Sequence, residues 1–304
     1  VLKTSLDDFN ATWTSEDIDN VKKSHKESLS SIGKRMWNSV FKSEKESDTN
    51  SSSDEESEES KDEKSSHRYK LNVFSVERIF KKSSLHTTIL LSGYFSQGDE
   101  GIDNWRNFTQ VPFIGELYNV TWESGDTGAL KDQVEDTFKN RIAGSIFSEI
   151  KDTSFTKVYR HAIITGKALA YYLMEKHILD GNSVSLVGYS LGTVAAFHCM
   201  KELYKAGAFH LIHNVLLLGG AMQVNRDWNE VLKVAAGRVI NCHTKNDNIL
   251  TFMYVPSMRE TPIGLTQIGV PKVENYDVSE FCSGHLGYRE SLPTLFKHVD
   301  FRPQ

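Results

Sequence analysis

The 304-residue sequence holds only three cysteines, Cys199, Cys242 and Cys282, an odd number with no two at CxxC spacing. That scarcity argues against a disulfide framework and against a cysteine-based metal site. Free, buried thiols in a reducing compartment are the expectation. No apolar run approaches the ~20 residues a membrane-spanning helix requires, so the chain as given is expected not to cross a membrane. Neither G-x-x-x-x-G-K-[ST] nor G-x-G-x-x-G occurs, which removes the two common glycine-rich phosphate cradles. A strong field of one sign is missing as well. The net charge is −5, but residues 43–66 alone carry ten acids and three bases, which leaves 32 bases and 30 acids over the other 280 residues. Nothing in that balance reads as a nucleic-acid binder. What is present is 39% hydrophobic and 11% aromatic residues, ample for one large domain or two small ones. The expected location is intracellular, either peripheral on a membrane or in an organelle. The start at Val1 leaves room for a targeting segment upstream.

Composition divides the chain into an N-terminal segment (1–42), an acidic linker (43–68) and a globular part (69–304). Across 16–41, Ile18, Val21, Leu29, Ile32, Met36 and Val40 recur at three- and four-residue steps, broken by His25. This is the period of an amphipathic helix. Its polar face carries Lys22, Lys23, Lys26, Lys34 and Arg35, and Thr14 or Ser15 stands ready to cap it. Such a helix either docks to a membrane surface or a protein partner, or packs on its own domain. Residues 43–66 contain no aliphatic or aromatic side chain and cannot offset the entropy of ordering, so a disordered linker is predicted. Ser51, Ser52 and Ser53 each precede an acid by three residues, a pattern acidophilic kinases favour, but a plain solvated spacer is the favoured reading. Four glycosylation sequons (Asn10, Asn50, Asn107, Asn119) are read as chance in a chain this rich in serine and threonine.

From Tyr69 onward, apolar runs alternate with helical periods. Strands are predicted at 85–91, 117–122, 184–187, 215–218, 239–242 and 273–278, with helices at 130–146, at 158–178 and at the C-terminus to about His298. Alternation of this kind predicts a mostly parallel sheet covered by helices on both faces.

The strongest local signal is Gly188-Tyr189-Ser190-Leu191-Gly192, which follows the strand SVSLV and precedes a helical run. That is the strand–turn–helix setting of a nucleophile elbow, in which a serine stands on a sharp turn and tolerates no bulk two residues to either side. A serine nucleophile needs a base, and the base needs an orienting acid; in α/β-hydrolases these follow as acid, then histidine. His285, in Ser283-Gly284-His285-Leu286-Gly287 just past the last predicted strand, is the favoured base. His198, His210, His213 and His298 lie on helices or on the wrong side of the sheet, and His243 would require an earlier acid. For the acid, Asp247 directly follows a strand end, where such sheets collect function; Asp277 is the alternative. The amides of Leu191 and of Tyr94, after the strand at 85–91, are the candidate oxyanion donors.

Together GYSLG, NVLLLGGAM, GRVIN, the aspartate of TKND and VENYDVSEFCSGHLGYR, with the earlier LSGYFSQGDEGIDNW and ELYNVTWES, resemble the α/β-hydrolase-like family of unknown function typified by transmembrane and coiled-coil domain-containing protein 4. The resemblance spans about Leu85 to Val299. It implies an α/β-hydrolase fold with Ser190, Asp247 and His285 at the triad positions. Members of that family usually carry hydrophobic, membrane-embedded segments ahead of this domain, where this chain has one amphipathic helix and an acidic linker.

Two functions follow as expectations. The first is a cofactor-free serine hydrolase acting on a small-molecule or lipid ester, with the apolar stretch 251–270 (Phe252, Met253, Tyr254, Val255, Ile263, Leu265, Ile268) serving as pocket wall, lid or ordinary packing. The second is a catalytically silent hydrolase-like domain used as a structural subunit or adaptor.

Overall fold

The computed structural model describes residues 11–13, 71–125 apart from short interior stretches, 153–175, and 182–302 apart from His210. The predicted helices at 16–41 and 130–146 and the acidic linker lie outside these residues. Eight strands form one sheet: β1 (Ala11–Trp13), β2 (Phe74–Phe80), β3 (His86–Leu91), β4 (Glu116–Trp122), β5 (Ser183–Tyr189), β6 (Ile212–Leu218), β7 (Val239–His243) and β8 (Val273–Asp277). Their order is β1-β2-β4-β3-β5-β6-β7-β8. β2 runs antiparallel to both of its neighbours, and every pairing from β4 across to β8 is parallel. A sheet in this order, with a sharp strand–turn–helix after β5, is the α/β-hydrolase fold.

The central strands are apolar runs because both faces are covered. All six residues of β3 are buried, and so are the last six of β5. On one face lie α1 (Thr153–Glu175) and α2 (Gly192–Lys205), packed on a core that includes Leu186, Phe197, Met200 and Trp228. On the other, Trp105, Phe108 and the C-terminal helix Leu292–Val299 cover Leu90, Val187, Leu216 and Ile240. The six strands expected from the sequence are present, as are a helix at Thr153–Glu175, where one was expected over 158–178, and the one reaching His298. β1 and β2 are additional. Asn119 of β4 is fully buried and points its amide at the Thr121 hydroxyl, an arrangement that leaves no room for a glycan on the folded chain. Cys199, Cys242 and Cys282 are free and buried.

The amino-terminal end of β3 holds an acid-sensitive histidine. His86, at the start of β3, is nearly buried, bonds through Nδ1 to the Ser183 hydroxyl, and lies 5.9 Å from the His213 ring. Burial, and then the neighbouring His213, push its pKa down to about 4 from 6.5. Below pH 6.5 the unfolded chain therefore binds a proton that the folded chain refuses. Stability should be full above that pH and fall progressively as pH drops towards 4. Thermal unfolding across this window should show Tm declining by several degrees, and His86→Gln, which keeps a partner for Ser183, should flatten that decline.

Candidate active site

Ser190 stands between β5 and α2 with φ +55°, in the left-handed region that a non-glycine residue enters only when its surroundings force it. The surroundings are explicit. The Ser190 amide donates to the Leu218 carbonyl at 3.0 Å on the adjacent β6 end. Its own carbonyl accepts from the Thr193 amide (3.1 Å), the Ala221 amide (3.1 Å) and the Thr193 hydroxyl (2.7 Å). The glycines two residues away are steric requirements. A β-carbon at Gly188 would lie 2.8 Å from the Gly192 carbonyl oxygen, and one at Gly192 would overlap the Leu91 carbonyl. The spacing Gly-x-Ser-x-Gly thus records how closely the turn is wedged between β3 and its own helix.

Three strand ends deliver three side chains to one place. The Ser190 hydroxyl lies 2.8 Å from His285 Nε2, and His285 Nδ1 lies 2.6 Å from Asp247 Oδ2. Asp247 is fully buried, and Ser190 and His285 retain only 6% and 7% of their surface. With the imidazole proton on Nδ1, directed at the carboxylate, Nε2 is left to accept from the serine. The Asp247 carboxylate is itself fixed: Oδ1 accepts from the Leu250 amide at 2.9 Å, and the Asp247 carbonyl accepts from the Thr251 amide and hydroxyl. Leu250–Tyr254 is one wide helical turn, and it places Asp247 at its start.

The competing residues lie in other settings. Asp277 is exposed at the end of β8 and accepts from the Ser279 amide and hydroxyl, bonds that hold its carboxyl below the usual range. Ser279 in turn accepts from the Thr244 hydroxyl and the Lys245 amide, and its carbonyl accepts from Asn246. Asp277 therefore braces the turn that carries Asp247, from a distance. His243 ends β7 and is buried, which lowers its pKa, while Asp277 raises it. His198 sits inside α2, and burial together with Arg226 and three lysines holds it neutral.

Gly93 lies directly against the serine: a β-carbon there would come within 2.5 Å of Ser190 Cβ and 3.1 Å of its Oγ. The loop after β3 is thus brought to Ser190. The Tyr94 ring is engaged in packing, edge-on to Phe155 at 6.0 Å. The Leu191 amide, next to Ser190, donates to no group among the described residues.

The means by which this loop is held escaped the sequence reading. Trp105 Nε1 donates to the Ser92 hydroxyl at 2.7 Å and Trp122 Nε1 to the Ser92 carbonyl at 3.2 Å. The Ser96 hydroxyl donates to the Gly93 carbonyl, and the Ser96 amide bonds to the Ser124 hydroxyl at 3.2 Å. Both tryptophans and Ser124 belong to the stretches GIDNW and VTWES, whose only visible signal was family resemblance. The stretch 251–270 is divided in role. Tyr254, Ile263 and Ile268 are core, whereas Phe252 is 47% exposed.

Residues 142–302 match the family described as "Protein of unknown function (DUF726)". The chain belongs to that family. Among its relatives, the fission yeast (Schizosaccharomyces pombe) "Uncharacterized membrane protein C6F6.13c" is 31% identical over 225 residues, 64% of this chain and 28% of that protein. The Saccharomyces cerevisiae "Probable lipase MIL1" is 33% identical over 219 residues, covering 63% of this chain and 20% of its own length. The rice (Oryza sativa) "Transmembrane and coiled-coil domain-containing protein STS1" is 27% identical over 241 residues, with 70% and 36% covered. The chain thus spans between 20% and 36% of the length of these three relatives. Among the described residues, no helix is long and apolar enough to cross a membrane.

Proposed function

We propose that this DUF726 chain is a serine hydrolase of carboxylic esters, acting on a lipid ester or thioester. The observation that carries the reading is the unbroken path from Asp247 through His285 to Ser190, with links of 2.6 and 2.8 Å, ending on a serine in a strained turn. Ser190 Oγ attacks the ester carbonyl as its proton passes to His285 Nε2; Asp247 holds the imidazole tautomer and the imidazolium that forms. Charge on the carbonyl oxygen is met by the amides of Leu191 and Tyr94. His285 then gives its proton to the departing alcohol or thiol, and water, activated by the same imidazole, releases the acid and restores Ser190.

The lipid assignment draws on the yeast relative described as a probable lipase and on two relatives described as membrane or transmembrane proteins. In this proposal the chain is of the type represented by transmembrane and coiled-coil domain-containing protein 4, and is held peripherally at a membrane or on a protein partner through residues 16–41.

The test is labelling of the full chain by a fluorophosphonate probe, beside Ser190→Ala and His285→Ala, followed by hydrolysis of p-nitrophenyl esters of increasing chain length. Labelling of the wild type that both substitutions abolish is the expected result. A folded, monodisperse wild type that stays unlabelled and inert would leave the adaptor reading in its place.

A further inference from the structure

His285 belongs to a segment with little rigidity of its own. Glycines stand at 284 and 287, and Gly284 has φ +150°. A general base on such a turn has to be fastened from outside, because an imidazole displaced by about 1 Å can lose as much as 10²-fold in rate. Among the described residues, one side chain supplies the fastening to His285's own backbone. The Tyr189 phenol donates to the His285 carbonyl at 2.9 Å, and the Tyr189 ring lies beside the imidazole, centroids 5.1 Å apart and planes inclined by 33°.

Tyr189 is held in turn. It is buried, so its hydroxyl stays protonated and remains a donor. The Arg289 guanidinium sits 5.6 Å from the centroid of its ring, and the Arg289 carbonyl accepts from Asn107 at 3.1 Å. Tyr189 is also the residue immediately before Ser190. One short turn therefore carries the nucleophile and the clamp on its base, which fixes the Oγ–Nε2 separation from within the elbow.

We infer that Tyr189 is a positioning residue for His285, setting the place and orientation of the imidazole through the bond from its hydroxyl to the His285 carbonyl. The inference rests on the hydrolase reading for its kinetic consequence, while its structural consequence can be read without any activity.

The experiment compares the full-length wild type with Tyr189→Phe, which keeps the ring and removes the donor, and with Tyr288→Phe as a matched control. Tyr288 is an equally buried phenol whose hydroxyl donates elsewhere, to the Cys242 carbonyl at 3.1 Å. Imidazole ring ¹⁵N shifts, assigned to His285 by their absence in His285→Ala, report the hydrogen bonds of the ring. Tyr189→Phe should move these shifts as the contacts to Asp247 and Ser190 loosen, and lower kcat for a p-nitrophenyl ester about tenfold, with KM within about twofold. Tyr288→Phe should lose comparable thermal stability and leave both readouts unchanged. Wild-type His285 shifts in Tyr189→Phe would overturn the inference, as would equal changes in the two variants. If the wild type proves inert towards esters while Tyr189→Phe still moves the His285 ring shifts, the hydrolase reading fails and the positioning role stands.

Discussion

Asp247→Asn is expected to lower kcat for ester hydrolysis by about 10³–10⁴-fold while leaving KM and the fold nearly unchanged. The size follows from what each carboxylate oxygen does. Oδ1 accepts from the Leu250 amide and Oδ2 faces His285 Nδ1. Asparagine can keep an oxygen on Leu250 N, so the helical turn after it survives, but its NH2 group must then point at Nδ1. Nδ1 is thereby made an acceptor and the proton moves to Nε2, where it meets the Ser190 hydroxyl and removes the only base. Steady-state kinetics on p-nitrophenyl esters, with circular dichroism as the fold control, would decide it. A loss of tenfold or less would mean that Asp247 is not the orienting acid.

The second large effect falls on stability. Gly192→Ala is expected to destabilise the fold by about 3 kcal/mol, roughly 6–12 °C in Tm for a domain of this size. The added β-carbon would drive into the Leu91 carbonyl, with the Leu91 carbonyl carbon 2.6 Å and the Ser92 oxygen 2.9 Å away. Main chain stands on both sides of that clash, so no rotamer relieves it; α2 and β3 have to part. Because Ser92 begins the loop that reaches Ser190, probe labelling should fall together with Tm. Gly269→Ala is the control, since nothing lies within 4 Å of its added carbon. Equal Tm values for the two variants would show that the elbow is looser than the structure implies.

The central parallel strands were legible because they are buried on both faces and carry apolar runs between turns. β2 was not. Its sequence FSVERIF places Glu77 and Arg78 at mid-strand, where Ser75 bonds Glu77 and Arg78 pairs with Glu116 on β4, and these two charged residues side by side near the sheet edge erase the alternation. β1, three residues long, offers no period at all. The meeting of Ser190, Asp247 and His285 could be anticipated because each follows the end of a strand. The choice between Asp247 and Asp277 turns on burial: one is enclosed and the other exposed at the strand's end, a difference that spacing does not encode. The work of Tyr189, Trp105 and Trp122 was invisible for a related reason. A side chain that bonds to a main-chain carbonyl or to a lone serine hydroxyl leaves no pattern in the residues it serves.

The seam between β3 and β5 has a further consequence. Serine, acid and base all fall within residues 142–302, the stretch that defines the family, whereas the loop at Gly93 and the two tryptophans that clamp it come from the chain before it. A polypeptide trimmed to the family stretch would keep the reacting trio but lose β1 to β4. β5, which pairs with β3 from Ser183 to Gly188, would become an outer strand: flat, apolar, its amides and carbonyls open along one side. Strands of that kind recruit other chains. The stretch that matches the family is therefore smaller than the sheet it belongs to, and β3, with β4 and β2 beyond it, covers the flank of β5 that such a trimming would expose.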